Sequence, residues 1–206
     1  MALVIELCIF LMTGMLVVHA IVSRSPQFAL LFWMAGFSMG VMRELAMSGI
    51  SSLYQFNSFT LWIGNSPLVM ILFWANICYI GWQWSNNFLG SEYFLQAALG
   101  SHLPLVFLTL ALISFFFETL LSQTGLIRWH LDPSMPYILG HVPLLAPFSY
   151  GFTGVVFLKA FKLIWNAPRQ TRSDVGLRLV VVQPIVVLVI MGLLFSTHLI
   201  FVAIFS

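Results

Sequence analysis

Six long apolar stretches constrain this chain more than any other feature of its sequence. They cover residues 2–22, 27–48, 66–84, 94–121, 142–166 and 176–204. A membrane-spanning helix needs about 20 mostly apolar residues, and backbone groups in hydrocarbon must form their hydrogen bonds within their own segment. Only 7% of the residues are charged, whereas a soluble domain carries about 25%. The sequence therefore predicts an all-α fold: a polytopic transmembrane helical bundle of about six helices, forming one domain over residues 1–206, with a seventh short crossing left open.

Other features of the sequence argue against a secreted protein, a disulfide or metal framework, and a nucleic-acid-binding protein. Glu6 stands where a signal peptide carries basic residues, so residues 2–22 are predicted to be the first helix. Cys8 and Cys78 lie in apolar stretches without CxxC spacing, and we expect neither a disulfide nor a metal site. A net charge of +2 without a basic stripe argues against nucleic acid as a partner.

The positions of lysine and arginine predict the orientation of the bundle. The connections after the first, third and fifth helices, with their flanks, carry Arg24, Lys159, Lys162, Arg169, Arg172 and Arg178, whereas the opposite side carries Arg43 and Arg128. Basic loops are retained in the cytoplasm, so we expect these three connections inside and the N-terminus outside. Helical spans are typical of the cytoplasmic (inner) membrane, and membrane lipid is the expected surrounding.

Two long aromatic connections on the outward side, residues 49–65 and 122–141, resemble each other. The first unit contains Glu44, Gly49, Tyr54, Gly64, Pro67 and Trp74, and the second contains Glu118, Gly125, Trp129, Gly140, Pro143 and Tyr150. In both units proline follows glycine by three positions, and an aromatic residue follows proline by seven. We interpret the match as a duplication of helix, outer loop and helix, over residues 27–84 and 94–166. Because two crossings preserve direction, this is a parallel repeat about an axis along the membrane normal.

Glu44 and Glu118 are the leading catalytic candidates. The repeat places them at matching positions near the outer ends of their helices. An ionisable group inside a span costs about 2.5–3.5 kcal/mol, so such groups usually face the bundle interior. A structural role is the alternative: Glu44 would pair with Arg43 at the membrane interface, and Glu118 would cap a helix end or reach toward water. Glu6 lies on the same outward side, but close enough to the terminus to reach water.

The second outer loop also holds a group of polar residues. Arg128, His130, Asp132 and His141 would form a metal site, a proton relay or a phosphate clamp. Their spacing matches no recognised metal motif, and the first loop has no counterpart. The alternative is a solvated loop with a turn at Asp132-Pro133. We therefore assign these four residues, together with Arg43, a supporting polar role.

Two buried carboxyl groups in an apolar bundle suit acid chemistry. Burial disfavours the charged form of a carboxyl group, so such a group holds a proton that it can deliver to a carbon–carbon double bond. Aromatic faces stabilise the resulting cation, and the second carboxyl orients a water molecule or takes the proton back. The expected substrate-binding residues are Tyr54, Trp62, Trp74, Trp129, Tyr137 and Tyr150. An isoprenoid suits such a site because it dissolves in the bilayer, and the chemistry needs no cofactor.

The repeated residues resemble a known family. Glu44, Gly49, Tyr54, Pro67 and Trp74, followed by Glu118, Gly125, Trp129, Tyr137, Gly140 and Pro143, are similar to the pattern of the membrane carotenoid-biosynthesis proteins that include the acyclic carotenoid hydratases of bacteria and archaea. The resemblance covers residues 40–155 and departs at Glu118-Thr119, where the family has Asp-Pro. It implies a cofactor-independent hydratase, a lyase, that adds water across a terminal double bond of an acyclic carotenoid or similar polyprenoid. Either Glu118 or Glu44 would be the proton donor.

Three alternatives stay open. The tandem-repeat membrane lycopene cyclases also resemble this chain and use the same protonation, but their Glu-Glu pair after the proline is replaced by Leu68-Val69 and Leu144-Leu145. A small transporter needs a continuous hydrophilic path, which the third, fifth and sixth helices do not offer. A non-catalytic subunit or assembly factor of a membrane complex predicts that Glu44 and Glu118 point away from each other.

Overall fold

The computed structural model describes residues 1–50, 52–94, 102–130, 136–138 and 142–166, with six further positions between residues 176 and 192. These ranges contain the helices α1 Ala2–Ser23, α2 Pro26–Glu44, α3 Leu68–Leu89, α4 His102–Gln123 and α5 Leu145–Trp165. A π-helix, Leu45–Ile50, continues α2. The further positions, Gly176, Arg178, Ile185, Val186, Val189 and Gly192, are helical as well. The rest of the predicted sixth helix, 176–204, lies outside the described residues.

Four helices in the described part of the chain are long and apolar enough to cross a membrane: Ala2–Ser23, Pro26–Gly49, Leu68–Leu89 and His102–Gln123. Large apolar side chains are exposed along α1, among them Leu3, Leu7, Leu11 and Met15. Contact with lipid is favourable for such a surface, whereas its exposure to water would carry a high free-energy cost. The prediction of a largely helical, multi-pass membrane protein is confirmed, and the count of about six helices stays a prediction.

Local sequence features determine where α2 begins and where α3 ends. Ser25 caps α2, because its hydroxyl accepts a hydrogen bond from the Phe28 amide at 3.1 Å, and Pro26 occupies the first helical position. Helix α3 continues past the predicted end at residue 84 to Leu89. It ends at Gly90, whose φ of 58° is the left-handed conformation that favours glycine.

Helix α3 lies at the centre of the bundle and contacts α1, α2, α4 and α5. Its approach to α2 depends on two glycines. A Cβ atom on Gly40 would lie 2.5 Å from the carbonyl oxygen of Ile71, and one on Gly36 would lie 2.5 Å from the Cβ of Ala75. Small residues of this kind allow the backbones of membrane helices to approach closely. The close contact holds the end of α2 against α3, which positions the candidate acid Glu44.

Polar contacts show at which end of the bundle each connection between helices lies. At the loop end, the Glu6 carboxylate accepts hydrogen bonds from the Thr60 amide at 2.7 Å and the Thr60 hydroxyl at 2.6 Å. At the opposite, basic end, Arg24 pairs with Glu92, and the Lys162 ammonium donates to a backbone carbonyl of the connection between α3 and α4. Alternate connections therefore lie at opposite ends. That the basic end faces the cytoplasm stays a prediction.

Both connections at the loop end contain short strands. β1 Tyr54–Phe56 pairs antiparallel with β4 Ile127–Trp129, β2 Trp62–Ile63 pairs with β3 Ser66–Pro67, and β5 Tyr137–Ile138 pairs with β6 Val142–Pro143. Aromatic and β-branched residues favour strands. The fold is therefore mostly helical and not strictly all-α, because the two outer connections join each other in a ladder. The side chains of Tyr54, Phe56 and Ile127 in that ladder are buried over the helices.

Candidate active site

The Glu44 carboxylate, at the last residue of α2, lies at the centre of a buried group of polar side chains. Its Oε1 accepts hydrogen bonds from Arg43 Nη1 at 3.0 Å and from Trp74 Nε1 at 2.8 Å. Its Oε2 accepts one from the Tyr54 hydroxyl at 2.7 Å. Only 1% of Glu44 is exposed. The π-helix follows directly, and the Ser48 hydroxyl in it donates to the Glu44 carbonyl; π-helical turns are frequent at functional sites.

Arg43 joins three parts of the fold. Besides Glu44, its guanidinium donates to the Tyr54 hydroxyl at 3.1 Å and to the Ser149 hydroxyl of α5 at 3.0 Å. It also lies over two aromatic rings, 4.0 Å from the ring centre of Trp74 and 5.1 Å from that of Tyr150. Such cation–π contacts strengthen when they are removed from water. Only 3% of Arg43 is exposed, so the structure holds a buried charge with several partners.

Glu118 approaches the same group from α4. Its Oε1 accepts a hydrogen bond from the Tyr150 hydroxyl. The Tyr150 ring lies 4.3 Å from the Trp74 ring, at an angle of 40°. Through these two rings the side chains of Glu118 and Glu44 belong to one buried assembly. We call it the carboxyl cluster, and it consists of Arg43, Glu44, Tyr54, Trp74, Glu118, Ser149 and Tyr150.

The second oxygen of Glu118 differs from every oxygen of Glu44. In the described part of the chain, Glu118 Oε2 is buried without a hydrogen-bond partner, and only 3% of the residue is exposed. A buried polar atom without a partner costs about 1–3 kcal/mol, so such an atom needs an explanation. One explanation is that Glu118 is protonated at Oε2 and that this oxygen contacts a substrate when one is bound.

The cluster bears on the structural alternatives. Glu44 does pair with Arg43, as that alternative predicts, but the pair is buried among aromatic rings. Glu118 is also buried, so its side chain does not reach water. Six of the predicted site residues meet in this cluster: Arg43, Glu44, Tyr54, Trp74, Glu118 and Tyr150.

The remaining aromatic candidates lie around the cluster. Trp129 packs edge-on against Tyr54, with ring centres 4.8 Å apart, and its buried indole N–H has no hydrogen-bond partner among the described residues. Trp62 is 41% exposed and donates to the Phe59 carbonyl. Tyr137 is half-buried in β5. Trp129 therefore contacts the cluster through Tyr54.

Two of the predicted polar residues of the second outer loop, Arg128 and His130, do not belong to the carboxyl cluster. Arg128 and His130 are exposed, and the His130 ring contacts the Ser52 carbonyl across the strand ladder. Asp132 and His141 lie outside the described residues. Alternation of side chains along β4 explains the separation, since Arg128 and Trp129 point to opposite faces of the ladder.

A cleft of about 410 Å³ lies at the loop end beside the cluster. Its lining includes Ser48, Ser52, Tyr54, Gln55, Asn65 and His130, all of which can form hydrogen bonds, together with Phe56 and Trp62. Tyr54 forms part of the lining and also belongs to the carboxyl cluster. Burial raises the pKa of the Tyr54 hydroxyl well above its ordinary value, and the neighbouring Glu44 carboxylate raises it further. Tyr54 therefore stays a neutral hydrogen-bond donor.

A second polar group at the basic end was not singled out by the sequence. The His102 ring lies between two serine hydroxyls, with Nδ1 3.2 Å from Ser85 Oγ and Nε2 3.1 Å from Ser91 Oγ. These contacts tie the end of α3 to the start of α4. Ser149 was also missed, because a lone serine in an apolar helix carries no pattern that points to a buried arginine.

No protein-family model matches the chain, and comparisons with curated proteins and with solved structures give no match. The resemblance to the carotenoid-biosynthesis proteins therefore stays an expectation from the residues alone.

Proposed function

We propose that this chain is a membrane-embedded enzyme that protonates a carbon–carbon double bond of an isoprenoid and adds water to the resulting cation. The observation that carries the proposal is the carboxyl cluster, in which two acids from different helices are buried together in different hydrogen-bonding states. A non-catalytic subunit would have no need for such a costly arrangement and was expected to point the two acids apart.

The hydrogen bonds assign different roles to the two acids. Glu44 accepts from Arg43, Tyr54 and Trp74, which suits a carboxylate, because an ionised carboxyl group only accepts hydrogen bonds. Among the described residues, Glu118 accepts a hydrogen bond at Oε1 and has no partner at Oε2, which leaves Oε2 to carry a proton. In the proposal Glu118 is the proton donor, and Glu44 is the carboxylate that later accepts a proton.

Arg43 changes the roles expected for two aromatic residues. The sequence predicted that Trp74 and Tyr150 would face the substrate cation, but their rings already hold the guanidinium of Arg43. Two neighbouring cations on the same rings would repel each other. Trp74 and Tyr150 therefore hold the acids in place, and Trp129, beside Tyr54, is the aromatic residue better placed to contact substrate.

The strand ladder supports the duplication that we propose for the two units. The alignment of the repeat equates Tyr54 with Trp129, and these two residues pair directly in the ladder. On either side, Gln55 pairs with Arg128, and the His130 amide donates to the Leu53 carbonyl. These contacts are related by the local two-fold axis that any antiparallel pair has, and the pairing of equivalent residues is what a parallel repeat predicts.

The substrate class is tested by expressing the protein in a lycopene-producing host and analysing the pigments by mass spectrometry. Hydration adds the mass of one water molecule, whereas cyclisation, the alternative use of the same protonation, leaves the mass unchanged. We expect hydrated pigment from the wild type. An unaltered pigment profile would rule out lycopene as a substrate.

Three matched substitutions test the acids. Glu44→Gln and Glu118→Gln should each abolish the product, because each removes an acid and keeps the shape of the side chain. Glu92→Gln, at the basic end, should keep activity. Size-exclusion chromatography in detergent checks that each variant folds. Full activity in both Glu44→Gln and Glu118→Gln would show that the carboxyl cluster is not the active site.

A further inference from the structure

The cleft at the loop end has a lining that suits a small neutral ligand. Hydroxyl and amide groups come from Ser48, Ser52, Gln55 and Asn65, and within the described part of the chain His130 is the one lining residue with a charge-bearing ring. A lining of this kind offers hydrogen bonds to water and no strong attraction to an ion. Its volume of about 410 Å³ is well above the roughly 30 Å³ that one water molecule occupies in the liquid.

Two lining residues connect the cleft to the carboxyl cluster. The Tyr54 hydroxyl donates to Glu44 Oε2 at 2.7 Å and accepts from Arg43 Nη1 at 3.1 Å. The Ser48 hydroxyl donates to the Glu44 backbone carbonyl at 2.7 Å and lies 3.0 Å from the Ser66 hydroxyl. A phenol oxygen can accept a second hydrogen bond, so Tyr54 can bind a water molecule while it holds Glu44. Of the two, Tyr54 is therefore the lining residue that contacts the Glu44 carboxylate directly.

We propose that this cleft binds the water that is added to the substrate cation, and that Tyr54 transfers the proton of this water to Glu44. The inference rests on the proposed function, whose acid is Glu118 at the other side of the cluster. Water thus reaches the cation from the loop end, whereas the lipophilic substrate comes from the bilayer. The two reactants are kept apart until they meet at the cluster.

The steps balance in atoms and charge. Glu118 gives its proton to one carbon of the double bond, whose electron pair forms the new C–H bond and leaves a cation on the other carbon. The oxygen of a water molecule in the cleft forms the C–O bond. The proton that this oxygen loses passes to Tyr54 Oη while the Tyr54 proton moves to Glu44 Oε2. A proton returning from Glu44 to the ionised Glu118 restores the starting state.

Solvent deuterium separates protonation from water capture. Membranes that contain the enzyme and lycopene are incubated in D₂O, and both the hydrated product and the deuterium in recovered lycopene are measured. In D₂O, Glu118 adds a deuteron to the double bond. A cation that is not captured then gives a proton back to the Glu118 carboxylate, which leaves deuterium in the recovered lycopene. Tyr54→Phe should reduce hydrated product by about 100-fold, the scale of general acid–base catalysis, and should retain deuterium exchange.

A second variant tests the cleft without touching the cluster. Asn65 lies at the exposed rim, so Asn65→Trp should narrow the cleft, lower the ratio of hydrated product to exchanged lycopene, and leave the acids in place. Tyr93→Phe is the matched control, because Tyr93 is a buried tyrosine outside both the cleft and the cluster. It should leave the ratio unchanged.

The outcomes distinguish the two proposals. A lower ratio in both Tyr54→Phe and Asn65→Trp supports the cleft as the water site. A ratio equal to that of the wild type in either folded variant overturns it, and so does loss of exchange together with hydration in Tyr54→Phe. If the wild type shows neither exchange nor hydration, the proposed function fails for lycopene as well.

Discussion

Replacing Arg43 with methionine removes the guanidinium and leaves the Glu44 carboxylate buried without its counter-charge. The wild-type guanidinium donates to Glu44, Tyr54 and Ser149 at 3.0–3.1 Å, and it also covers the ring of Trp74. Removing one partner of a buried ion pair costs about 3–5 kcal/mol, mostly because the remaining charge is left in an apolar surrounding. We therefore expect Arg43→Met to lower the free energy of unfolding by about 4 kcal/mol.

The double variant Arg43→Met/Glu44→Gln isolates the part of this loss that is due to charge. Glutamine keeps a carbonyl oxygen that can accept from Trp74 Nε1, and no buried charge remains. Replacing a buried ion pair by neutral groups is often neutral or stabilising. We expect the double variant to be about 2–3 kcal/mol more stable than Arg43→Met, because it contains no unpaired carboxylate at this position.

Unfolding in detergent, followed by tryptophan fluorescence, measures these differences as shifts of the midpoint at constant slope. The double variant should be stable and yet inactive in the pigment assay, which separates the catalytic role of Glu44 from its contribution to stability. A loss below about 1 kcal/mol for Arg43→Met, the range of an exposed pair, would show that Glu44 carries no charge in the folded protein. The proposed role of Glu44 as a carboxylate would then be wrong.

Two further predictions concern the scaffold. Gly40→Ala should cost about 1–3 kcal/mol or more, measured by the same unfolding assay, because its Cβ meets a backbone carbonyl of α3 at 2.5 Å; Gly14→Ala, with open space around it, is the control. Glu6→Ala should speed hydrogen exchange at the Thr60 amide, which loses its acceptor, and leave the Asn57 amide protected. Equal exchange of Thr60 in the variant and the wild type would show that Glu6 does not hold this loop.

The sequence was sufficient to single out the two acids as site candidates. The free-energy cost of a charge in hydrocarbon depends on the residue type and on its neighbours in the chain, and both can be read from the sequence. Glu44 and Glu118 stand out in stretches that are otherwise apolar, and the spacing of glycine, proline and aromatic residues pointed to Tyr54, Trp74 and Tyr150. The position of Arg43 over two aromatic rings was not predictable, because it depends on how α2, α3 and α5 pack.

Proximity in sequence did not predict how the polar residues of the second outer loop are arranged. Arg128 and His130 are close to each other in the chain and both are exposed in the ladder, but His130 lines the cleft beside Tyr54, and neither residue belongs to the carboxyl cluster. The ladder itself was not foreseen, since each strand of two or three residues finds its partner only when the other connection is in place. Helix α3 likewise extends beyond its apolar stretch, because Ser85 forms a hydrogen bond with His102 and Asn86 forms one with Glu92. The local sequence pattern does not show these contacts.

The sequence by itself determined that this chain forms helices in a membrane. It also determined which ionisable residues carry a high free-energy cost inside those helices. Both properties follow from the transfer of individual side chains and backbone groups out of water. The tertiary structure decided which groups neutralise Glu44, which oxygen of Glu118 has no partner among the described residues, and where the cleft meets Tyr54. Those features depend on contacts between segments far apart in the chain, and such contacts exist only after the helices have packed.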